Sequence, residues 1–268
     1  MYTVSKFQEF RRARSSAKYF NLACSAVGTG CYGKASQAFK KAICVRPEDK
    51  EAYYGLGVAY ERMGNYWEAV EAYKQAVQID ANYVKAQYAL GTAYRKLDCH
   101  DQAVEHFREA IRIEPDHALA YFWLGSSYSN LRRYNEAIEA YKHFTIIKPH
   151  LAEGYFYLGN AYEQLGWYED AAEAYECAIR INPDCAAAHS SLGDAFARLG
   201  RGEQAIQAYK QAVRIKPDFA EGHQKLGAYY LICGDESSAS REYEILKTLD
   251  ADCANKLSNL ILNSSQTL

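Results

Sequence analysis

A Leu-Gly dipeptide recurs at a fixed spacing along most of this chain, and that spacing restricts the fold more than any other feature. The glycines of the dipeptide are each 34 residues apart: Gly57, Gly91, Gly125, Gly159, Gly193 and Gly227. Self-similarity at a period of this length is the signature of a chain built from stacked structural repeats. The sequence therefore predicts a repeat architecture with a repeat of 34 residues.

Other residue classes keep the same period when each glycine is counted as position 8 of its repeat. An aromatic residue recurs at position 11, an alanine at position 20 and a second aromatic residue at position 24. The chain has five prolines, and all of them fall at position 32, where proline can end one helix and lead into the next. They are Pro47, Pro115, Pro149, Pro183 and Pro217.

Each repeat carries two helical patterns. Positions 4, 7, 8 and 11 lie on one face of a first helix, and positions 20, 24 and 27 lie on one face of a second helix. Glycines between them indicate a turn, at Gly64, Gly166, Gly200 and Gly234. Each repeat is therefore predicted to be an antiparallel helix pair. Small residues at positions 8, 20 and 27 let the backbones approach, and the aromatic residue at position 24 fills the space beside them.

This pattern resembles the tetratricopeptide repeat (TPR) family, whose consensus is W-x2-L-G-x2-Y, A-x3-F and P. One repeat shows it as Tyr155, Leu158, Gly159, Tyr162, Ala171, Tyr175 and Pro183. The resemblance implies an all-α, right-handed superhelix, an α-solenoid lined inside by the first helix of each repeat. Seven repeats are predicted, at 16–49, 50–83, 84–117, 118–151, 152–185, 186–219 and 220–253. Residues 254–268 are predicted to be a C-terminal capping helix and tail, and residues 1–15 either cap the stack or bind in trans.

The repeat departs from the pattern at a few positions. Position 4 is Gln87, His189 and His223 rather than aromatic, Ala81 and Ala251 replace proline, and Phe144 replaces a small residue at position 27. Because Phe144 is large, we expect irregular packing between the fourth and fifth repeats.

Composition and motifs exclude several classes of function. The formal net charge of −2 provides no global field for nucleic acid or for an anionic membrane. No apolar run approaches the roughly 20 residues of a membrane helix, so we expect no membrane insertion and a cytoplasmic location. The eight cysteines contain no C-x-x-C pair and the seven histidines no ligand spacing, so no metal or cofactor site is predicted.

One stretch imitates a nucleotide-binding loop. Residues 28–35, GTGCYGKA, satisfy G-x-G-x-x-G and nearly satisfy the phosphate-loop motif. Both motifs need a strand before the glycines, whereas a helical segment precedes them here, and Ala35 stands where a hydroxyl is required. With no nucleophile signature elsewhere, the sequence predicts a protein that is not an enzyme.

The side of each first helix that faces away from the pair is predicted to line a groove. It comprises positions 2, 5, 6, 9, 12 and 13, and we call it the groove face. Aromatic residues at positions 5 and 6 run through the second to fifth repeats and stop at Ser190 and Ser191: Tyr54, Tyr88, Phe122, Trp123, Phe156 and Tyr157. Position 5 suits packing between repeats as well as recognition, but the position-6 residues Trp123 and Tyr157 point away from the helix pair. Exposed aromatic rings offer a large contact area at low entropic cost.

Basic residues gather on the groove face of the second and third repeats. They are Arg62, Lys85, Arg95 and Lys96, and an acidic side chain or a peptide carboxylate could dock there beside the aromatic residues. The alternative is an ordinary solvated face of mixed charge. Asn160 alone matches the carboxylate clamp of chaperone-binding TPR proteins, and the asparagine ladder of the sugar-transferase superhelix is absent, so neither function is carried over.

The leading hypothesis is a non-catalytic protein-protein interaction scaffold or adaptor. It would bind a peptide segment or helix of a partner protein in its aromatic-lined groove. Two alternatives are left open: a self-assembling, homo-oligomeric scaffold and an accessory regulatory subunit of an enzyme complex. The architecture alone does not choose among them.

Overall fold

The computed structural model describes the backbone of residues 2–264 and the side chains of residues 13–262. In residues 2–264 all regular secondary structure is helical and no strand occurs. The helices are α1 (Tyr2–Gly28), α2 (Tyr32–Val45), α3 (Lys50–Arg62), α4 (Tyr66–Ile79), α5 (Val84–Lys96), α6 (His100–Ile113), α7 (Ala118–Asn130), α8 (Tyr134–Ile147), α9 (Ala152–Gln164), α10 (Tyr168–Ile181), α11 (Ala186–Arg198), α12 (Gly202–Ile215), α13 (Ala220–Ile232), α14 (Glu236–Leu249) and α15 (Ala251–Ser264). The all-α helical-repeat fold predicted from the sequence is confirmed.

The chain forms two compact halves, residues 1–133 and residues 134–268, divided between α7 and α8. In the N-terminal half, α1 packs against α2, α3 against α4 and α5 against α6, which forms the helix pairs. Each pair then packs on the next through contacts of α2 with α3, α4 with α5 and α6 with α7. In the C-terminal half, α9, α11 and α13 pack in the same way against α10, α12 and α14. The local stacking of helix pairs is thus the same in each half.

The aromatic residue at position 24 is the centre of a typical helix pair, such as that of α9 and α10. Tyr175 is fully buried, and a Cβ added at Gly159 would lie 2.6 Å from its ring. Only glycine leaves that space, which explains the recurring Leu-Gly dipeptide. Tyr155, at position 4 of the same repeat, is only half-buried. The position-24 ring therefore contributes more to the core than the position-4 ring, although the sequence pattern predicted both as core residues.

The turn inside each pair needs a left-handed backbone at position 15. Glycine supplies it at Gly30, Gly64, Gly166, Gly200 and Gly234, whose φ angles lie between +71° and +80°. Asp98 (φ 56°) and Arg132 (φ 58°) adopt the same conformation at the equivalent position of the third and fourth repeats. A side chain makes this conformation costly, so these two turns are strained.

The large Phe144 side chain fits because a glycine in the next helix faces its ring. The Phe144 side chain is 3% exposed, and a Cβ added at Gly154 in the next helix would lie 2.5 Å from its ring. The irregularity expected between the fourth and fifth repeats is therefore local, since the missing Cβ of Gly154 makes room for the larger ring.

The polar residues at position 4 share a hydrogen bond that the pattern did not predict. Each places a side-chain nitrogen on the backbone carbonyl six residues upstream, in the connection between repeats. The pairs are Gln87 with Ala81 (3.2 Å), His189 with Pro183 (3.0 Å) and His223 with Pro217 (3.0 Å). These residues therefore satisfy a carbonyl that would otherwise need water.

The C-terminal helix α15 packs on both α13 and α14. Leu257 is fully buried and occupies the space beside Gly227, so Tyr243 at position 24 is only half-buried. The helix begins three residues earlier than the predicted boundary at residue 254, because Asp250 Oδ1 accepts hydrogen bonds from the backbone N–H of Asp252 (2.9 Å) and Cys253 (3.0 Å).

Candidate functional site

A cavity of about 370 Å³ lies on the groove face of the N-terminal half. Tyr54 and Lys85 line it together with Glu51 and Gly55. The Tyr54 ring packs 5.6 Å from that of Tyr83, and burial raises its pKa. The structure thus brings the predicted Tyr54 and Lys85 to one cavity that offers an aromatic surface and one charge of each sign.

A second group of predicted residues meets between α5 and α7. We call it the Arg95 cluster, and it consists of Tyr88, Arg95, Phe122 and Trp123. The Arg95 guanidinium carbon lies 4.0 Å from the centroid of the Trp123 ring, and the Phe122 and Trp123 rings meet edge to face at 4.9 Å. Tyr88 is the remaining member: burial raises its pKa, and the Trp123 side chain partly opposes that shift. The cluster is therefore a preassembled surface of packed aromatic rings that carries one cation.

The Arg95 cation has no counterion within the described chain. It forms no ion pair with any carboxylate of residues 13–262, and its Nε atom is buried without a hydrogen-bond partner. Burial lowers the pKa of Arg95, and the Tyr88 hydroxyl opposes that shift. A guanidinium has five N–H donors and stays charged, so Arg95 has donors available to an external anion.

The other two predicted basic residues are exposed and separate from this cluster. Arg62 and Lys96 lie at the C-terminal ends of α3 and α5, and both side chains reach solvent. Arg62 acts electrostatically on Tyr73, whose hydroxyl donates to Glu61 Oε2 at 2.8 Å. The four basic residues therefore do not form a single patch in direct contact.

In the C-terminal half, the predicted aromatic pair packs on the tyrosines of the core. The Phe156 ring lies 5.9 Å from that of Tyr175, and Tyr157 stacks on Tyr141 at 6.0 Å with an interplanar angle of 21°. Tyr157 is still 41% exposed. Phe156 thus has a packing role, and Tyr157 offers a ring edge to solvent.

Asn160 is engaged within the protein. The buried Tyr175 hydroxyl lies 2.7 Å from Asn160 Oδ1 and 2.8 Å from Glu163 Oε2. Because these contacts use groove-face polar atoms to satisfy a core hydroxyl, Asn160 has a local structural role.

Beyond the aromatic pair, the groove face of the C-terminal half is polar. Lys225 Nζ contacts Asp194 Oδ2 at 2.7 Å, Glu221 Oε1 at 2.8 Å and Ser190 Oγ at 3.4 Å. The Tyr209 hydroxyl donates to the other Asp194 oxygen at 2.8 Å. We call this set the Lys225 network. The repeat pattern alone does not predict this network, although the opposite charges at position 9 of one repeat and position 6 of the next are a signal for it.

The described residues contain no group of His, Cys, Asp and Glu side chains arranged to hold a metal ion. Residues 28–35, which resemble a nucleotide-binding loop, span the turn between two helices, since α1 ends at Gly28 and α2 begins at Tyr32. A membrane-spanning helix is also absent from the part of the chain that the structure describes.

Family models match most of the repeats. Models described as tetratricopeptide repeat match residues 51–83, 84–117, 106–139 and 156–218, and one described as TPR repeat matches residues 29–64. The chain belongs to the tetratricopeptide repeat family. No curated protein sequence matches this TPR chain.

Solved TPR structures share the fold. The crystal structure of the MamA protein is 28% identical, with a TM-score of 0.62 over 64% of this chain and 94% of that one. The crystal structure of YrrB, described as a TPR protein with an unusual peptide-binding site, is 22% identical, with a TM-score of 0.64 over 70% of this chain and 97% of that one. The C-terminal part of a TPR protein from Cytophaga hutchinsonii is 17% identical, with a TM-score of 0.75 over 88% and 98%. The last two similarities support the fold alone.

The TPR fold supports a role in protein interaction in general. The groove face of this TPR chain carries packed aromatic rings with an unpaired cation in the N-terminal half and an internally paired polar network in the C-terminal half.

Proposed function

We propose that this TPR chain is a non-catalytic scaffold that binds a peptide segment or helix of another protein on its groove face. The Arg95 cluster carries the proposal, because it combines half-buried aromatic rings with a cation that no residue of the described chain neutralises. Aromatic and arginine side chains dominate the energetics of protein interfaces.

The cluster also indicates the chemistry of the segment. A guanidinium that lies over an indole ring can still donate hydrogen bonds to a carboxylate, and a partly desolvated charge-assisted hydrogen bond is stronger than a surface one. The bound segment should therefore place an acidic side chain or a terminal carboxylate at Arg95, with apolar side chains against Trp123 and Phe122. Tyr54 and Lys85 would extend this surface along the N-terminal half, and Tyr157 offers a further ring in the C-terminal half.

The test uses peptides selected by the protein itself. Random dodecapeptides displayed on phage are selected on the wild-type chain and counter-selected on the Trp123→Ala variant. Recovered peptides should carry Asp or Glu, and Trp123→Ala should weaken their binding by about 2 kcal/mol, the scale of an interface hot spot. The matched control is Trp67→Ala, because Trp67 is 58% exposed and lies on a second helix away from the groove face.

Helical content and melting temperature are measured for both variants. The proposal requires that binding is lost without loss of either, and it is wrong if Trp67→Ala weakens binding as much as Trp123→Ala. Light scattering separates the self-assembly alternative: a concentration-dependent mass that Trp123→Ala abolishes would assign the groove face to a second copy of the chain.

A further inference from the structure

Lysine side chains lie over aromatic rings at four of the junctions between repeats. In each case the lysine is at position 25 of one repeat and the ring is at position 11 of the next, with the ammonium 5.5–5.9 Å from the ring centroid. The pairs are Lys40 with Tyr60, Lys74 with Tyr94, Lys142 with Tyr162 and Lys210 with Tyr230. A cation over a ring face is attracted by the ring quadrupole, and the lysine stem covers apolar surface.

The series is broken at two junctions. Between α6 and α7 position 25 is Arg108, and a cation still lies over the next ring, because the Arg133 guanidinium is 4.7 Å from the Tyr128 ring centroid. Between α10 and α11 no cation takes the place of the lysine. Position 25 is Glu176 and position 11 of the next repeat is Phe196. Glu176 is exposed and forms no ion pair with any residue in the range 13–262. The Phe196 ring, which is 6% exposed, therefore has no lysine over it, and an exposed carboxylate occupies the sequence position of that lysine.

A groove lies at this same place. We call it the α12 groove. It has a volume of about 730 Å³, and its lining includes Glu176, Leu192, Phe196, Gln207 and Tyr230. The equivalent groove at α4 has a volume of about 400 Å³ and the one at α2 about 390 Å³. The α12 groove is thus nearly twice as large, and it lies at the junction where a carboxylate takes the sequence position of the lysine.

The charge around the α12 groove is acidic. Glu176, Glu203 and Asp235 line it, and its lysine, Lys210, lies 5.6 Å from the Tyr230 ring. Asp235 also accepts a hydrogen bond from the Ser238 backbone at the start of α14. An apolar floor with an acidic margin complements a basic side chain that is flanked by apolar residues.

We propose that the α12 groove is a second binding site, for a lysine- or arginine-containing segment of another protein. The basic side chain of the partner lies over Phe196 and pairs with Glu176, so that the partner supplies the cation that the other junctions supply internally. An apolar neighbour in the segment packs on Leu192 in the groove. The site lies on the opposite side of α11 from Ser190 and Asp194 of the groove face, so it is independent of the proposed Arg95 site.

The central test variant is Glu176→Lys, which restores the internal series. Its lysine should cover Phe196 as Lys142 covers Tyr162, and it should close the site without disturbing the fold. Glu176→Gln removes only the charge. The matched control is Glu173→Lys, an exposed residue one turn earlier on α10 that makes the same change in net charge outside the groove lining.

Random dodecapeptides displayed on phage are selected on the wild-type chain and counter-selected on Glu176→Lys. Recovered peptides should contain Lys or Arg next to an apolar residue. Glu176→Lys should weaken their binding about tenfold or more, Glu176→Gln should weaken it less, and Glu173→Lys and Trp123→Ala should leave it unchanged. The unchanged binding by Trp123→Ala separates this site from the groove-face site.

Three results would overturn the proposal. One is that no peptide distinguishes the wild type from Glu176→Lys, and another is that the peptides that do so lack a basic residue. The third is self-association of the wild-type chain that Glu176→Lys abolishes, since the α12 groove would then belong to a second copy of this chain.

Discussion

Each half of the chain has a cation on the groove face; it is paired with carboxylates in the C-terminal half and has no carboxylate partner in the N-terminal half. In the C-terminal half, Lys225 contacts Asp194 and Glu221 at 2.7 Å and 2.8 Å, and its side chain is 29% exposed. In the N-terminal half, Arg95 lies on the Trp123 ring with no carboxylate partner in residues 13–262 and with its Nε buried and unpaired.

The paired cation contributes to stability, whereas the unpaired cation remains available to an external anion. A partly buried charge that is paired internally holds its repeats together, and it must lose those contacts before it can bind anything else. An unpaired, partly buried cation has already lost part of its hydration. An incoming anion therefore displaces fewer water molecules from it, and the desolvation cost of binding is smaller. The same stacked-repeat architecture therefore holds an internally paired cation in one half and, in the other, the unpaired cation on which our proposed binding site depends.

The largest expected effect comes from replacing each cation with methionine, which keeps most of the stem. Lys225→Met leaves the half-buried Asp194 with only the Tyr209 hydroxyl, and it should lower the free energy of unfolding by about 1–2 kcal/mol. Arg95→Met removes a charge that has no carboxylate partner, so stability should be unchanged or slightly higher. Urea unfolding and the hydrogen exchange of α11 and α13 against α5 and α7 measure both effects.

Lys247→Met serves as the control, because Lys247 pairs with Glu244 on an exposed surface and no measurable change is expected. Equal losses from Lys225→Met and Arg95→Met would remove the distinction between the two halves. Arg95→Met should at the same time weaken the peptides selected through Trp123, whereas Lys225→Met should not.

A second difference between the halves lies in their turns. Asp98 and Arg132 in the N-terminal half have left-handed backbones with side chains, whereas the turns of the C-terminal half that the structure describes use Gly166, Gly200 and Gly234. Arg132→Gly should stabilise the protein by about 0.5–1 kcal/mol, because relief of the strain exceeds the entropy that glycine adds to the unfolded chain. Asp98→Gly should gain less, since a short polar side chain tolerates this conformation better.

Thermal unfolding measures both substitutions, with Gly200→Ala in the C-terminal half as the reverse experiment. That variant should be destabilised by about 1 kcal/mol. A loss of stability in Arg132→Gly would show that interactions of the Arg132 side chain stabilise the protein by more than the left-handed backbone conformation costs.

The sequence was sufficient for the repeat because the 34-residue period is carried by backbone packing. Gly159 and Tyr175 illustrate this: the space left by one is filled by the other, so both recur together. The positions of Tyr88, Arg95 and Trp123 in the 34-residue repeat likewise predict that they lie on the groove face. The repeat pattern does not predict their contacts, because the stacking of a guanidinium on an indole depends on side-chain rotamers that periodicity does not encode.

Other residues could not be interpreted from the repeat because their partners lie outside the pattern. Asp250 starts α15 through its side chain, and Leu257 takes the place beside Gly227 where Tyr243 was expected. His223 stood out as a departure from an aromatic position, but its value depends on a carbonyl six residues upstream and on a carboxylate on the next helix.

The smallest expected effect is a pH dependence of opposite sign in the two halves. In the C-terminal half, His223 Nδ1 lies 2.6 Å from Glu242 Oε2 and Nε2 lies 3.0 Å from the Pro217 carbonyl. Both neighbours are acceptors, so both ring nitrogens must carry hydrogen, and the hydrogen bond to Glu242 raises the pKa of His223. The stability that this residue contributes is fully present below the unfolded-state pKa of about 6.5 and is lost as the pH rises through the folded-state pKa.

In the N-terminal half, burial lowers the pKa of His106, which stacks on Tyr94 and lies 2.9 Å from Gln87 Oε1. Its neutral form is favoured in the folded state, so its contribution is present above a pH of about 6.5 and is lost as the pH falls through the folded-state pKa. Hydrogen exchange of α13 and α14 should therefore become faster as the pH rises above about 7, after correction for the intrinsic exchange rate, whereas that of α5 and α6 should become faster as it falls below about 6. His223→Gln and His106→Gln should each remove the trend in their own half only. Parallel trends in the two halves would mean that neither histidine sets the local stability.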